Sequence, residues 1–278
     1  MKYSFVVGKS GYLLDLLCES LDVDRVLVKR QIDRGECKIN GVRQKHNEFV
    51  ASGSEIAIFV PQSFLEGGKV VDWEQRIKYR DQKILVFDKP QGMEIVKLQA
   101  LVQANLGAEW VLTHRIDQNT AGLVLMACGE THKRQIVSAM NQNKIKKTYF
   151  AKVHGVLQGS GVLTVYLFKD AKKSVVYVSS VKKTGYKEAV TKYTVQKIYQ
   201  NCTDVILELV TGRTHQIRAT MAHFGHFVLG DGKYGINQIN KGHGYKYQQL
   251  KAIGLQFGDL AEPFAYMNGQ SIATGLEI

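Results

Sequence analysis

Leu13, Leu14, Leu17 and Leu21 recur three and four residues apart, the spacing of one face of a helix. A second helix is expected from Val23 to Arg34. It carries Val26, Leu27 and Ile32, with Asp22 or Asp24 as its cap and Gly35 as its stop. Arg30 and Arg34, four residues apart, share a face of it. The run CKINGVRQ then reads as a hairpin turned at Asn40-Gly41. Glu55 to Val60 reads as a closing strand before Pro61. In SFLEGGKVVDW the pair Gly67-Gly68 breaks any period, which predicts a linker.

From residue 76 the pattern changes to short apolar runs. Strands are expected at Lys83 to Phe87, Trp110 to Thr113, Leu123 to Ala127, Tyr149 to Val153 and Val162 to Phe168. Others follow at Val175 to Val181, Thr191 to Ile198 and Val205 to Val210. Helices are expected at His132 to Met140, after Thr131, and at Thr214 to Phe224, with Thr214 as cap and Gly225 beyond. On the second, Ile217, Met221 and Phe224 form an apolar stripe, and His215 and Arg218 lie off it. Many strands and few helices give an α+β fold with a mixed, mainly antiparallel sheet, preceded by a small αα-hairpin module. The expected domains are 1–62 and 76–278, with 63–75 as linker.

The length of 278 residues suits two domains, and 45 % apolar against 22 % charged residues excludes a wholly disordered chain. The apolar run from Ala121 to Cys128 is far short of the ~20 residues that cross a bilayer. MKYSFVVGKS has no apolar core followed by a cleavage site. Cys18, Cys37, Cys128 and Cys202 form no C-x-x-C pair and sit beside no histidine in a zinc pattern. Free thiols in a reducing, cytoplasmic setting, with no membrane partner and a monomeric state, are the expectation.

The net charge of +12 is concentrated. Residues 133–197 hold 14 basic and 2 acidic side chains, whereas the rest of the chain is balanced. Lys144, Lys146, Lys147, Lys172, Lys173, Lys182, Lys183 and Lys187 contribute to the excess and interleave with apolar residues, as in KKTYFAKVHGVL. A positive surface on folded elements favours a polyanion, nucleic acid being the commonest.

Two segments carry candidate chemistry. In VLTHRIDQNTAGLVLMA an apolar strand runs into His114-Arg115-Ile116-Asp117, then a polar loop, then a second apolar strand. Loops between buried strands are where a rigid scaffold holds reacting groups. Taken alone, an Asp ahead of Asn-Thr more often bonds backbone amides in a turn. In LVTGRTHQIRATMAHFGHFVLGDGKYG, Arg213 lies just before a helix N-terminus, where the dipole disfavours a cation, so an anionic partner is expected. His215, His223 and His226 raise a metal-dependent nuclease as an alternative, although no carboxylate lies among them.

These segments resemble the RluA-type family of RNA pseudouridine synthases. The elements follow in order: Lys89, Pro90, Gly92 and Met93; His114-Arg115-Ile116-Asp117 with Thr120-Ala121-Gly122; Lys147, Tyr149, Ala151, Val153 and Gly155; Thr211 to Arg218; and Gly230-Asp231 with Tyr234-Gly235. The run from Val26 to Val60 is similar to an S4-like RNA-binding domain. The resemblance implies isomerisation of uridine in ribosomal large-subunit or transfer RNA by one essential aspartate, with no cofactor and no metal. By position that residue is Asp117. It implies that Tyr149 stacks on the target base and that Arg213 or Arg218 pairs with Asp117; Arg218 is favoured because its helical position is fixed. It assigns Arg115, His114, Thr120, Arg213, His215 and Lys147 to substrate binding. Departures from the family are Ile116, Ala121, Asp88 in place of Asn, Lys251 in place of His, and a short spacer between Met93 and His114. The alternative on the same fold is an RNA-binding protein without catalysis.

Overall fold

The computed structural model describes residues 2–21, 25–60, 73–170 and 172–277. They gather into two compact units, within Met1–Arg76 and within Ile77–Ile278. Residues 63–72 of the expected linker lie outside the described residues, as do Asp22 and Asp24 and the side chains of Val26 and Leu27.

In the first unit, helices Leu13–Leu21 and Arg25–Asp33 are followed by the hairpin strands Cys37–Ile39 and Val42–Gln44. Asn40 and Gly41 both take positive φ (48° and 82°), as a two-residue hairpin turn of matching twist requires. Gly35, also at positive φ, ends the second helix. The sequence pattern missed the strand Lys2–Val6, which pairs antiparallel with Glu55–Phe59 and completes a four-stranded sheet. Leu13, Leu14, Leu17, Val28, Ile32, Ile56 and Ile58 form a separate core.

The second unit is built on one 11-stranded sheet. Its main path runs Val175–Ser179, Ser160–Asp170, Lys187–Ile198, Cys202–Leu209, Ile145–His154, Leu250–Phe257, Ala121–Cys128, Ile84–Lys89 and Ile77–Arg80. Every pairing is antiparallel except that of Ala121–Cys128 with Leu250–Phe257. The exception comprises Ala121 opposite Lys251 and Gly122 opposite Ala252. A Cβ at Gly122 (φ 106°) would stand 2.1 Å from the carbonyl oxygen of Ala252, so only glycine allows the two backbones to meet there. This contact draws the loop before Ala121 against the middle of the sheet. Helix Gly129–Asn141 covers one core through Ile136. Helix Gln216–His223 covers another, with Ala219 on Val165, Leu167, Val176 and Ala189.

Several expectations change. The helix expected from His132 begins at Gly129, ahead of Thr131. The spacer between Met93 and His114 holds an unforeseen helix, Ile95–Leu106. Leu250–Phe257 was missed because lysine, alanine and glycine dilute its strand pattern, yet it lies mid-sheet. The helix expected from Thr214 begins at Gln216. Its N-cap is His215 in the left-handed conformation (φ 52°), with no side-chain cap bond. Its stripe also departs from the expected one: Phe224 is 43 % exposed beyond the helix end. Gln216, Ile217, Arg218, Ala219, Thr220 and Met221 are all buried. A helix buried nearly all round carries its polar groups inward, where they need partners.

Candidate active site

Asp117 lies in the loop between strands Trp110–Leu112 and Ala121–Cys128, and that loop is fixed from several directions. Gln118 offers its carbonyl to the Lys89 ammonium (2.9 Å) and to the Gly92 amide (3.0 Å). Gln91 Nε2 donates to the Asn119 carbonyl (3.2 Å) and the Gln248 carbonyl (2.7 Å). Gln248 Nε2 donates to Thr120 Oγ1 (2.6 Å). Lys89 is fully buried and gives its remaining two N–H groups to the carbonyls of Pro90 (3.0 Å) and Met93 (2.9 Å). Burial pushes its amine down to about 8, against the pull of the Asp117 carboxylate. At neutral pH it is still the ammonium that three carbonyls require.

The Asp117 carboxylate bonds a side chain. Arg218 Nη1 donates to Asp117 Oδ2 at 2.6 Å, across 101 positions of sequence. The opposite edge of the same guanidinium is clamped by Asp231, with Nε to Oδ2 at 2.7 Å and Nη2 to Oδ1 at 2.9 Å. Asp231 Oδ1 also accepts the amides of Lys233 (2.8 Å) and Tyr234 (3.2 Å). Burial alone would raise the Asp231 carboxyl; the Arg218 bonds and charge, with the two amides, hold it below the usual carboxylate range. The guanidinium also lies 5.2 Å from the centre of the Tyr234 ring. Arg218 is therefore held on one edge by Asp231 and on one face by Tyr234, and presents its other N–H edge to Asp117. Asp117 Oδ1 faces His215 Nε2 at 3.8 Å.

Beside Asp117 is a cavity of about 300 Å³, bordered by Arg115, Lys147, Tyr149, Arg213 and Arg218 among others. Lys147 and Tyr149 are two apart on strand Ile145–His154, so they point to the same face. Burial, then the Asp117 charge, push the Tyr149 phenol upward, so it stays protonated. Lys147 is half-buried, and burial lowers its amine. Among the described residues neither the Lys147 ammonium nor the exposed Arg115 guanidinium has a hydrogen-bond or ion-pair partner. Arg213 reaches the backbone carbonyl of Glu188 (3.1 Å) and no carboxylate among the described residues. Three cations thus rim the cavity without a protein anion of their own.

The other expected residues also border the cavity, with additional structural duties. His114 Nε2 accepts the Leu125 amide (2.9 Å). Burial, then the Lys147 charge, push its imidazole down to about 3, so the ring is neutral. Thr120 is buried beneath Gln248. His215, His223 and His226 do not converge: their ring nitrogens meet Tyr234, Ser180 and the His154 carbonyl respectively. Lys251 follows pocket-lining Leu250 on its strand and turns to the Glu277 carbonyl (2.6 Å). Asp88 accepts from Thr274 Oγ1 (2.7 Å). Neither Lys251 nor Asp88 borders the cavity, whereas Ile116, a further departure, does. The sequence reading assigned no role to Lys89, Asp231, Tyr234 or Gln248. The first three stand inside the quoted motifs; nothing local marked Gln248.

A carboxylate with one oxygen occupied and the other open, facing a cavity rimmed by unpaired cations, suits an enzyme that acts within a polyanion. Residues 83–223 match the family model described as RNA pseudouridylate synthase. The chain belongs to that family and is an isomerase, an RNA pseudouridine synthase. It is similar to ribosomal large subunit pseudouridine synthase C of Haemophilus ducreyi, 29 % identical over 249 residues, 82 % of this chain and 77 % of that protein. It is also similar to the uncharacterized RNA pseudouridine synthase YlyB of Bacillus subtilis, 29 % identical over 231 residues, 77 % of this chain and 75 % of that one. Among solved structures it shares the fold of human RNA pseudouridylate synthase domain containing 1. There the TM-score is 0.60 and the identity 21 %, covering 72 % of this chain and 82 % of that one. Among the described residues no helix is long and apolar enough to cross a membrane.

Proposed function

We propose that Asp117 is the catalytic carboxylate of uridine isomerisation and that its substrate is structured RNA, with ribosomal large-subunit RNA the first candidate. The observation that carries this reading is the single bond from Arg218 to Asp117 Oδ2 beside the cavity. It holds the carboxylate in place and leaves Oδ1 for the substrate. In the reaction the bond from the sugar to the uracil nitrogen breaks, the base turns, and a sugar–carbon bond forms. The carboxylate either attacks the sugar or the base, or removes a sugar proton; each route needs an open oxygen.

Tyr149 supplies a flat, protonated ring for the flipped base, and stacking offsets part of the few kcal/mol lost on unstacking. Arg115, Lys147 and Arg213 receive flanking phosphates. His114 and Thr120 shape the loop and the cavity wall, and His215 faces the carboxylate. Ribosomal substrate is favoured because the printed names of several relatives specify it. Residues 1–62 act as an S4-like RNA-binding domain, supported by the paired helices, the Asn40-Gly41 hairpin and exposed Arg30 and Arg34. Residues 63–75 then join it to the catalytic domain, 76–278. The enzyme works as a cytoplasmic monomer.

The test is Asp117→Asn, assayed for pseudouridine in large-subunit RNA from a strain lacking the gene. Loss of product with RNA affinity retained is expected. Full turnover by the Asn variant would falsify the assignment.

A further inference from the structure

Two hydrogen bonds meet at Tyr234 Oη. The Val176 amide, which can only donate, bonds Tyr234 Oη at 3.0 Å. Tyr234 Oη also lies 2.7 Å from His215 Nδ1. Among the described residues Nδ1 is the one acceptor within reach of the phenol proton, and we place the proton there. Nδ1 is then an acceptor, and a neutral imidazole must carry its proton on Nε2. That nitrogen is the one directed at Asp117 Oδ1, 3.8 Å away. Burial lowers the imidazole, and Arg218 and Lys233 add to that against the pull of Asp117 and Asp231, which agrees with a neutral ring.

The backbone supports a functional reading. His215 sits at φ 52°, a left-handed conformation uncommon outside glycine, in which asparagine, aspartate and histidine are the enriched residues. Non-glycine residues held in that region cluster at functional sites. Its ring is held on the far side by Tyr234, whose own ring lies 5.2 Å from the Arg218 guanidinium.

We propose that His215 is a positioning residue for Asp117. Tyr234 fixes its tautomer, and its Nε2–H closes on Asp117 Oδ1 as RNA binds. The carboxylate is then oriented by a donor on each oxygen, Arg218 on one and His215 on the other, and Oδ1 keeps its second lone pair for the substrate. This inference rests on Asp117 being the catalytic carboxylate.

The direct test is long-range proton–nitrogen NMR of the full chain with ¹⁵N-labelled histidine at neutral pH. His215, assigned by comparison with a His215→Gln sample, should show the Nε2–H neutral tautomer. Tyr234→Phe should abolish that preference while keeping the ring over Arg218. An imidazolium, an Nδ1–H tautomer, or a tautomer indifferent to Tyr234→Phe overturns the proposal. Because this readout involves no turnover, it is separate from the outcome of Asp117→Asn.

The second test compares His215→Gln with His215→Asn, each checked for folding by its thermal melt. The Gln amide places its N–H near the position of Nε2, whereas the Asn amide places it near Nδ1. The backbone preference runs the other way, toward Asn. Gln should keep kcat within about tenfold, and Asn should lose on the order of 100-fold, the size of losing one oriented donor. KM for RNA should change little in either. Asn equal to or better than Gln would mean that only the backbone conformation matters, and the proposal falls.

Discussion

Asp231 holds Arg218 by two hydrogen bonds, at 2.7 and 2.9 Å, while Asp117 receives only one. The guanidinium is thus anchored to a buried carboxylate and lent to the one that borders the cavity. A bidentate clamp sets the plane of the guanidinium as well as its place, which a lysine could not do. Asp231 is wholly buried as a side chain, so its charge depends on Arg218 as much as Arg218 depends on it.

Removing Asp231 should therefore cost both stability and rate. Asp231→Ala leaves a buried guanidinium with half its partners, an expected loss of about 3 kcal/mol in urea unfolding. The pH profile gives the sign. The folded-state carboxyl is held below its ordinary value, so its contribution is full above the unfolded value near ~4 and is lost as pH falls below that. Asp231→Asn should flatten the acid limb of the stability curve relative to the parent. Parallel acid limbs would show that the ion pair contributes nothing to folding.

Lys89 predicts a slope of the same sign at the alkaline end. Its folded-state amine is lowered to about 8 by burial, whereas the unfolded value is about 10.4. Between those limits the unfolded chain binds more protons, so the lysine's contribution to stability rises with pH. The stability difference between the parent and Lys89→Met should grow in favour of the parent across that window. At neutral pH the Met variant strands three carbonyls, including that of Gln118 beside Asp117. It should lose about 2–3 kcal/mol together with most activity. A pH-independent difference in stability would remove the burial argument.

Strand alternation divides the lysine pair that sequence places together. Lys147 points to the Tyr149 face and borders the cavity, while Lys146 is exposed and points to the other face. Lys147→Met should weaken RNA binding and reduce the slope of log affinity against log salt by roughly 0.7 to 0.9, one phosphate contact. Lys146→Met should leave that slope unchanged. Equal effects from both would place the RNA elsewhere than at the cavity mouth.

The amino-acid sequence by itself determined the strand-rich character of residues 76–278, the Asn40-Gly41 hairpin, the position of the basic excess and the ordered motifs that hold Asp117, Tyr149 and Arg218. These are local properties: a period, a turn-forming pair, a run of like charge, a short spacing. The helix cap at residue 214 was misread because a threonine there has ordinary capping chemistry, whereas the chain turns at His215 in a left-handed conformation that no local signal marks. Strand Leu250–Phe257 escaped notice because its pairing partners, not its own composition, make it a strand. Only the tertiary structure decided which arginine meets Asp117, that Asp231 grips the same guanidinium, and that Tyr234 meets His215. Those contacts join residues 101, 13 and 19 positions apart, beyond the reach of any local period, and burial makes each of them costly to leave unmade.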